Sequence, residues 1–213
     1  MTSQLTTPAP VARPLRSDAA RNLKLIREAA LDVISVHGTD ASMEQIAHRA
    51  GVGVGTLYRR FPNKEALVEA LVDGILTDLI ASARDALNVP DGAGLDKFLH
   101  QLGGALLLYR GWAPQLLGRA EPSSCADELR SLIAKLVDQA KVAGQLAPHI
   151  TIGDIQMTMW SLRGVVEATG AVAPKAWIRH LDLLLAGLRI VPAPTSRAPM
   201  TKAQLAAIAS QPH

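Results

Sequence analysis

An all-α fold is predicted by three observations. Apolar residues recur at helical spacing in segment after segment, and no segment reads convincingly as a strand. Two of the helical segments are short and are separated by Gly51-Val52-Gly53, a tight-turn signal. The available core is aliphatic: hydrophobic residues are 48% of the 213-residue chain and aromatics only 3%.

The elements follow in order. Leu23, Ile26, Ala30, Leu31, Val33 and Ile34 predict a first helix over about residues 18–36, with His37-Gly38 as a glycine stop. Ser42 with Gln45 forms a capping-box pattern ahead of a short helix over 43–50, which Gly51 ends. A second short helix covers 54–60, and Phe61-Pro62 breaks the chain. Asn63 then opens a long helix from Lys64 to about Leu87, apolar at Leu67, Leu71, Ile75, Leu79 and Ala83. Further helices are expected over 95–109, 113–119, 125–143 (stopped at Gly144), 152–169 and 174–188, with Pro174 in a first turn. Residues 1–16 and 191–213, rich in proline, read as loose tails, with a short helix over 201–210 needing a docking surface to be stable. The expected organisation is a tail over 1–16, a head over 17–70, a helical bundle over 71–190 and a tail over 191–213.

Charge follows the same division. Residues 1–64 carry nine basic and five acidic side chains, a net +4, while the whole chain is only +3. A positive excess confined to the unit with two short helices is what a nucleic-acid-binding head requires. A lone Cys125 excludes an internal disulfide or a thiolate zinc site and fits a cytoplasmic protein. The longest apolar runs, 105–108 and 183–188, fall far short of the roughly 20 residues that span a bilayer. The histidines show no metal-binding spacing, and no nucleophile elbow or phosphate loop appears, so neither a metal, a cofactor nor an enzyme is expected.

Function is concentrated in Ser42 to Leu67, SMEQIAHRAGVGVGTLYRRFPNKEAL. Physically this is a helix-turn-helix. Ala47 is small where the second helix must cross closely, and Gly51 takes the positive φ of the turn. Ile46, Val52, Leu57 and Phe61 form one apolar face. That leaves Val54, Thr56, Arg59 and Arg60, with the Tyr58 hydroxyl, to face outward, a surface suited to a DNA major groove. Ser42 is an N-cap that can also touch phosphate, and Lys64 opens a helix whose N–H groups and charge can hold one.

Ile46-Ala47, Ala50-Gly51-Val52, Gly55-Thr56-Leu57-Tyr58, Phe61 and Lys64-Glu65-x-Leu67 resemble, in uninterrupted spacing, the tetracycline-repressor (TetR) family of bacterial regulators. Two positions depart from the family pattern. Ser or Lys is frequent where Gly53 and Val54 stand, and His where Arg60 stands. Gly53 therefore offers no side-chain contact, whereas Arg60 keeps a donor.

The resemblance implies an all-helical homodimer that binds a pseudo-palindromic DNA operator through its N-terminal three-helix domain. It also implies a C-terminal helical bundle that forms a ligand pocket and a dimer interface from the last two long helices. Candidates for the pocket are His100, Tyr109, Trp112, Leu116, Met157, Trp160 and Arg163, because a buried polar tip needs a partner. Candidates for the interface are Ile155, Leu162, Val166, Trp177, Leu181, Leu184, Leu185 and Leu188, from helices whose apolar faces look too extensive for a monomer surface. The expected function is a ligand-responsive transcriptional repressor released by a small apolar molecule. The alternative is a DNA-binding or protein-interaction module with no small-molecule input.

Overall fold

A computed structural model describes residues 15–37, 40–109, 124–189 and 198–209. Among them every regular element is helical: α1 (Leu15–His37), α2 (Met43–Ala50), α3 (Val54–Arg60), α4 (Lys64–Ala86), α5 (Gly94–Leu108), α6 (Ser124–Val142), α7 (Ile152–Thr169), α8 (Ala176–Arg189) and α9 (Lys202–Ala209). A single 3₁₀ turn, Pro90–Gly92, precedes α5. The expected helix over 113–119 and the Gly38 stop lie outside the described residues.

The chain separates into two compact units, Met1–Lys64 and Glu65–His213. In the first, α1 packs on α2 and α2 on α3. Their shared interior is Ile26, Ala30, Ile34, Ile46, Ala47 and Leu57, with Phe61 closing it. Helix α2 begins where its sequence dictates. The Ser42 hydroxyl accepts from the Gln45 backbone N–H at 3.1 Å, and the Gln45 side chain accepts from the Ser42 backbone N–H at 2.8 Å. It ends where Gly51 takes φ 67°. There Val52 N–H donates to the Ala47 carbonyl and Gly51 N–H to the His48 carbonyl. Ala47 is fully buried, as a close helix crossing requires.

In the second unit α5 packs against α6, α7 and α8, and α7 against α8. The largest buried side chains here are aliphatic apart from Phe98: Ile75, Leu95, Leu99, Leu106, Leu136, Ile155 and Leu162. Trp177 of α8 lies against α5 at Gly103, where an added Cβ would sit 2.3 Å from the ring. Two polar clamps tie the same helices. The His100 ring nitrogens lie 2.8 Å from the Asp96 carbonyl and 3.0 Å from the Asp182 carboxylate, and Arg189 pairs with Asp96.

Several boundaries differ from expectation: α1 begins at Leu15, inside the tail expected over 1–16, and two further differences bear on packing. Pro174 lies in the turn ahead of α8 rather than in its first turn, because the helix begins at Ala176. Residues 202–209, inside the expected tail, are helical: Thr201 and Gln204 cap the start of α9, and Leu205 lies beside Gly153 at the start of α7. That contact is the docking surface so short a helix needs.

Among the described residues almost no polar side chain is buried, Thr158 being the exception. Ile155, Leu162, Val166, Trp177, Leu181 and Leu185 are all buried within the single chain. Their expected place in a dimer interface is therefore corrected: they are the apolar stripes by which α7 and α8 join their own subunit's core. Leu184 and Leu188 are half-exposed. The open large apolar positions on the two helices are instead Ile152 (38% exposed), Met157 (47%) and Leu183 (61%).

Candidate nucleic-acid interface

Helix α3 is only seven residues long, and one side chain anchors it. Leu57 is fully buried, while Val54, Thr56, Tyr58, Arg59 and Arg60 are all exposed. This is the outward set that the sequence predicts. Gly53 precedes the helix with an extended backbone and no side-chain cap. Ser42 and Lys64 are half-buried at the starts of α2 and α4.

The side chains are held by local contacts. The Arg59 Nε–H donates to the Gly55 carbonyl at 3.2 Å, and its Nη2 lies 3.4 Å from the Thr56 hydroxyl. The Arg60 guanidinium sits 5.9 Å from the centre of the Phe61 ring, a cation–π distance. Arg49 of α2 pairs with Asp32 of α1 across an exposed surface. Such a pair contributes at most about 1 kcal/mol.

One contact was not legible in the sequence. The Tyr58 hydroxyl donates to Glu44 Oε1 at 3.1 Å. Glu44 stands in the first turn of α2, where its own backbone N–H and then the Tyr58 hydroxyl hold the carboxyl below the usual range. The same hydrogen bond pushes the Tyr58 phenol up from its ordinary value. Helix α3 carries no acid, but α2 brings one to it. The two residues are 14 apart, a spacing that only the helix-turn-helix geometry closes.

The second unit distributes its candidate pocket residues unevenly. Tyr109 is buried, and His100, Trp160 and Arg163 are half-buried. Arg163 donates to Glu167 on its own helix at 2.8 Å. Met157 is exposed, which corrects its place among inward-facing residues: it lies on the open side of α7. Trp112 and Leu116 lie outside the described residues. Trp177, expected at the interface, is the interior residue whose indole ring approaches His100, with centroids 6.3 Å apart, and its Nε1–H has no hydrogen-bond partner. The signal that could have placed it inside is Gly103-Gly104 in mid-helix, unfavourable unless something approaches closely. No cluster of His, Cys, Asp and Glu suited to a metal exists among the described residues, and none of their helices is long and apolar enough to cross a membrane.

Comparison with known proteins places this geometry. Residues 26–71 match the family model described as bacterial regulatory proteins, tetR family. An HTH-type transcriptional regulator of Staphylococcus aureus is 38% identical over 78 residues, 35% of this chain and 40% of that protein. The chain thus matches about two-fifths of the length of such curated relatives. Solved structures extend the likeness to most of the chain. A TetR transcriptional regulator from Streptomyces coelicolor is 29% identical with a TM-score of 0.61, covering 80% of this chain and 99% of that one. A TetR regulatory protein from Mycobacterium vanbaalenii is 27% identical with a TM-score of 0.63, covering 83% and 100%. Motif, helix order and fold agree: residues 26–71 match the DNA-binding segment of the tetR family of bacterial regulatory proteins, and the chain is similar over most of its length to solved TetR regulators.

Proposed function

We propose that the protein is a cytoplasmic, homodimeric transcriptional repressor that binds a pseudo-palindromic operator through α3 and releases it when a small apolar molecule enters the second unit. The observation that carries the DNA-binding part is the division of α3 into one buried anchor, Leu57, and five exposed side chains. In this reading Val54, Thr56, Arg59 and Arg60 face base edges, Ser42 and Lys64 face phosphates, and Tyr58 stands within reach of one once its hydroxyl is free. The head extends over residues 17–70 and the sensing and dimerisation domain over 71–190.

The dimer forms through the outward side of α7 and α8. Met157, Ser161, Gly164 and Ala168 recur at helical spacing on α7 and are exposed; Leu183 and Gly187, also exposed, lie on α8 with Leu184 beside them. Small residues flanked by Met and Leu suit close packing of two such pairs about a two-fold axis. The ligand is held among α5, α7 and α8, near His100, Tyr109, Trp160 and Arg163, in an interior whose other residues are aliphatic apart from Phe98, Trp177 and Thr158. It acts by binding the released form more tightly than the operator-bound one; a coupling of about 1–3 kcal/mol changes affinity about 5- to 150-fold.

The experiment is selection of duplexes from a random library by the full chain, followed by affinity against salt. Enrichment of a two-fold-symmetric sequence, with log affinity falling steeply against log salt, is expected. Binding indifferent to salt, or no enriched sequence, refutes it. Titration of apolar compounds into the complex separates a ligand-responsive repressor from a module without small-molecule input.

A further inference from the structure

We propose that Glu44 limits the affinity of this surface for DNA by holding the Tyr58 hydroxyl away from phosphate. The inference rests on the DNA-binding reading above. It starts from proton counting. A phenol has one O–H hydrogen, and a carboxylate and a phosphodiester both offer only acceptors. In the protein that hydrogen is given to Glu44 Oε1, 3.1 Å away. Tyr58 cannot donate to Glu44 and to a phosphate together, so a phosphate contact by this hydroxyl requires the Glu44 bond to break.

The second part of the argument is charge. Glu44 brings an acid to Tyr58 on the exposed face that Thr56, Arg59 and Arg60 also form. Its place in the first turn of α2 favours the ionised form, and its own backbone N–H keeps the carboxyl ionised through neutral pH. Tyr58 is 41% exposed, so a phosphate approaching its hydroxyl also approaches this carboxylate. Binding then costs both a hydrogen bond and a like-charge approach. Removing Glu44 frees the hydroxyl and deletes the repulsion.

The test is a double-mutant cycle on the full chain with a fixed duplex of about three helical turns at about 0.1 M salt. Glu44→Ala is expected to bind about five- to twentyfold more tightly than wild type, with a log–log salt slope steeper by up to about 0.9. Tyr58→Phe is expected to cost less than about twofold in the wild-type background and about five- to tenfold beside Glu44→Ala, because only there does the hydroxyl meet phosphate. Glu44→Gln guards against loss of the α2 first turn. It removes the charge but keeps an acceptor for Tyr58, so it should tighten binding while Tyr58→Phe stays nearly silent beside it. Equal or weaker binding by both Glu44 variants overturns the proposal, as does a Tyr58→Phe cost that is the same in every background. A wild-type protein that binds no duplex overturns instead the DNA-binding reading, and this proposal falls with it.

Discussion

Gly103 and Gly104 are adjacent in α5, yet alanine should act on them in opposite directions. A Cβ at Gly103 would lie 2.3 Å from Cζ3 and 2.5 Å from Cε3 of Trp177, more than 1 Å inside ordinary carbon–carbon contact at about 3.5 Å. The obstacle is a rigid indole that is 7% exposed, so the ring or the helix must shift. Overpacking of this kind costs about 1–3 kcal/mol, against a helix-propensity gain of about 1 kcal/mol for replacing glycine. The contact is deep enough to place Gly103→Ala at a net loss of about 1–2 kcal/mol. At Gly104 nothing lies within 4 Å of the added methyl. Only the gain remains there, about 0.5–1 kcal/mol. Thermal unfolding followed by circular dichroism, at fixed protein concentration, reads the difference. Gly103→Ala should melt about 2–6 °C lower than wild type and Gly104→Ala about 1–4 °C higher. Combining Gly103→Ala with Trp177→Leu should cost less than the two changes summed, since the smaller side chain vacates the space. Shifts of the same sign for the two glycines would refute the seating of Trp177 on α5.

Lys64→Ala should weaken all duplexes alike and flatten the salt slope by up to about 0.9, whereas Arg59→Ala and Arg60→Ala should also blur sequence preference, by about 1–3 kcal/mol at the bases they face; both are read from selection and affinity measurements. Met157→Glu with Leu183→Glu should give folded monomers by sedimentation, while Leu181→Glu with Leu185→Glu should unfold the second unit instead, because these two are buried in their own chain. The Tyr58 phenol should titrate above ordinary tyrosine in ultraviolet absorbance and fall back in Glu44→Ala, the Glu44 bond being its main cause. The sign is fixed by linkage. A raised phenol adds stability below its unfolded value of about 10, lost as pH rises through the folded value, and the lowered Glu44 adds stability above about 4.3, lost as pH falls through its folded value.

The short helices were legible because their ends are written locally. Ser42 with Gln45 and the Gly51 turn place α2 to the residue, and Leu57 alone among apolar residues of α3 is buried. The second unit was legible in helix number and less so in orientation. Helix α8 is apolar nearly all round in sequence, so periodicity could not say which side faces its own core; packing against α5 chose Trp177, Leu181 and Leu185. The start of α7 is written locally too, in the capping box of Thr151 with Asp154. Contacts such as Glu44 to Tyr58 and His100 to Asp182 were not legible, because hydrogen bonds across helices leave no periodic trace.

An interior built almost wholly from Leu, Ile, Val and Ala has a bearing on descent. Aliphatic side chains of similar volume exchange at modest cost, commonly under about 1.5 kcal/mol, provided total volume is kept. A core of this kind imposes little on the identity of any one residue. The first unit is different: Gly51 must tolerate φ 67°, Ala47 must be small, and Leu57 must fill one socket. Drift should therefore alter the sequence of the second unit while sparing its helices, and spare these positions of the first. The curated relative is 38% identical over 78 residues, whereas the shared fold extends over about four-fifths of the chain. If the second unit senses a ligand as proposed, the same latitude leaves its interior free to change with that molecule, so that a new chemical input requires no rebuilding of the first unit.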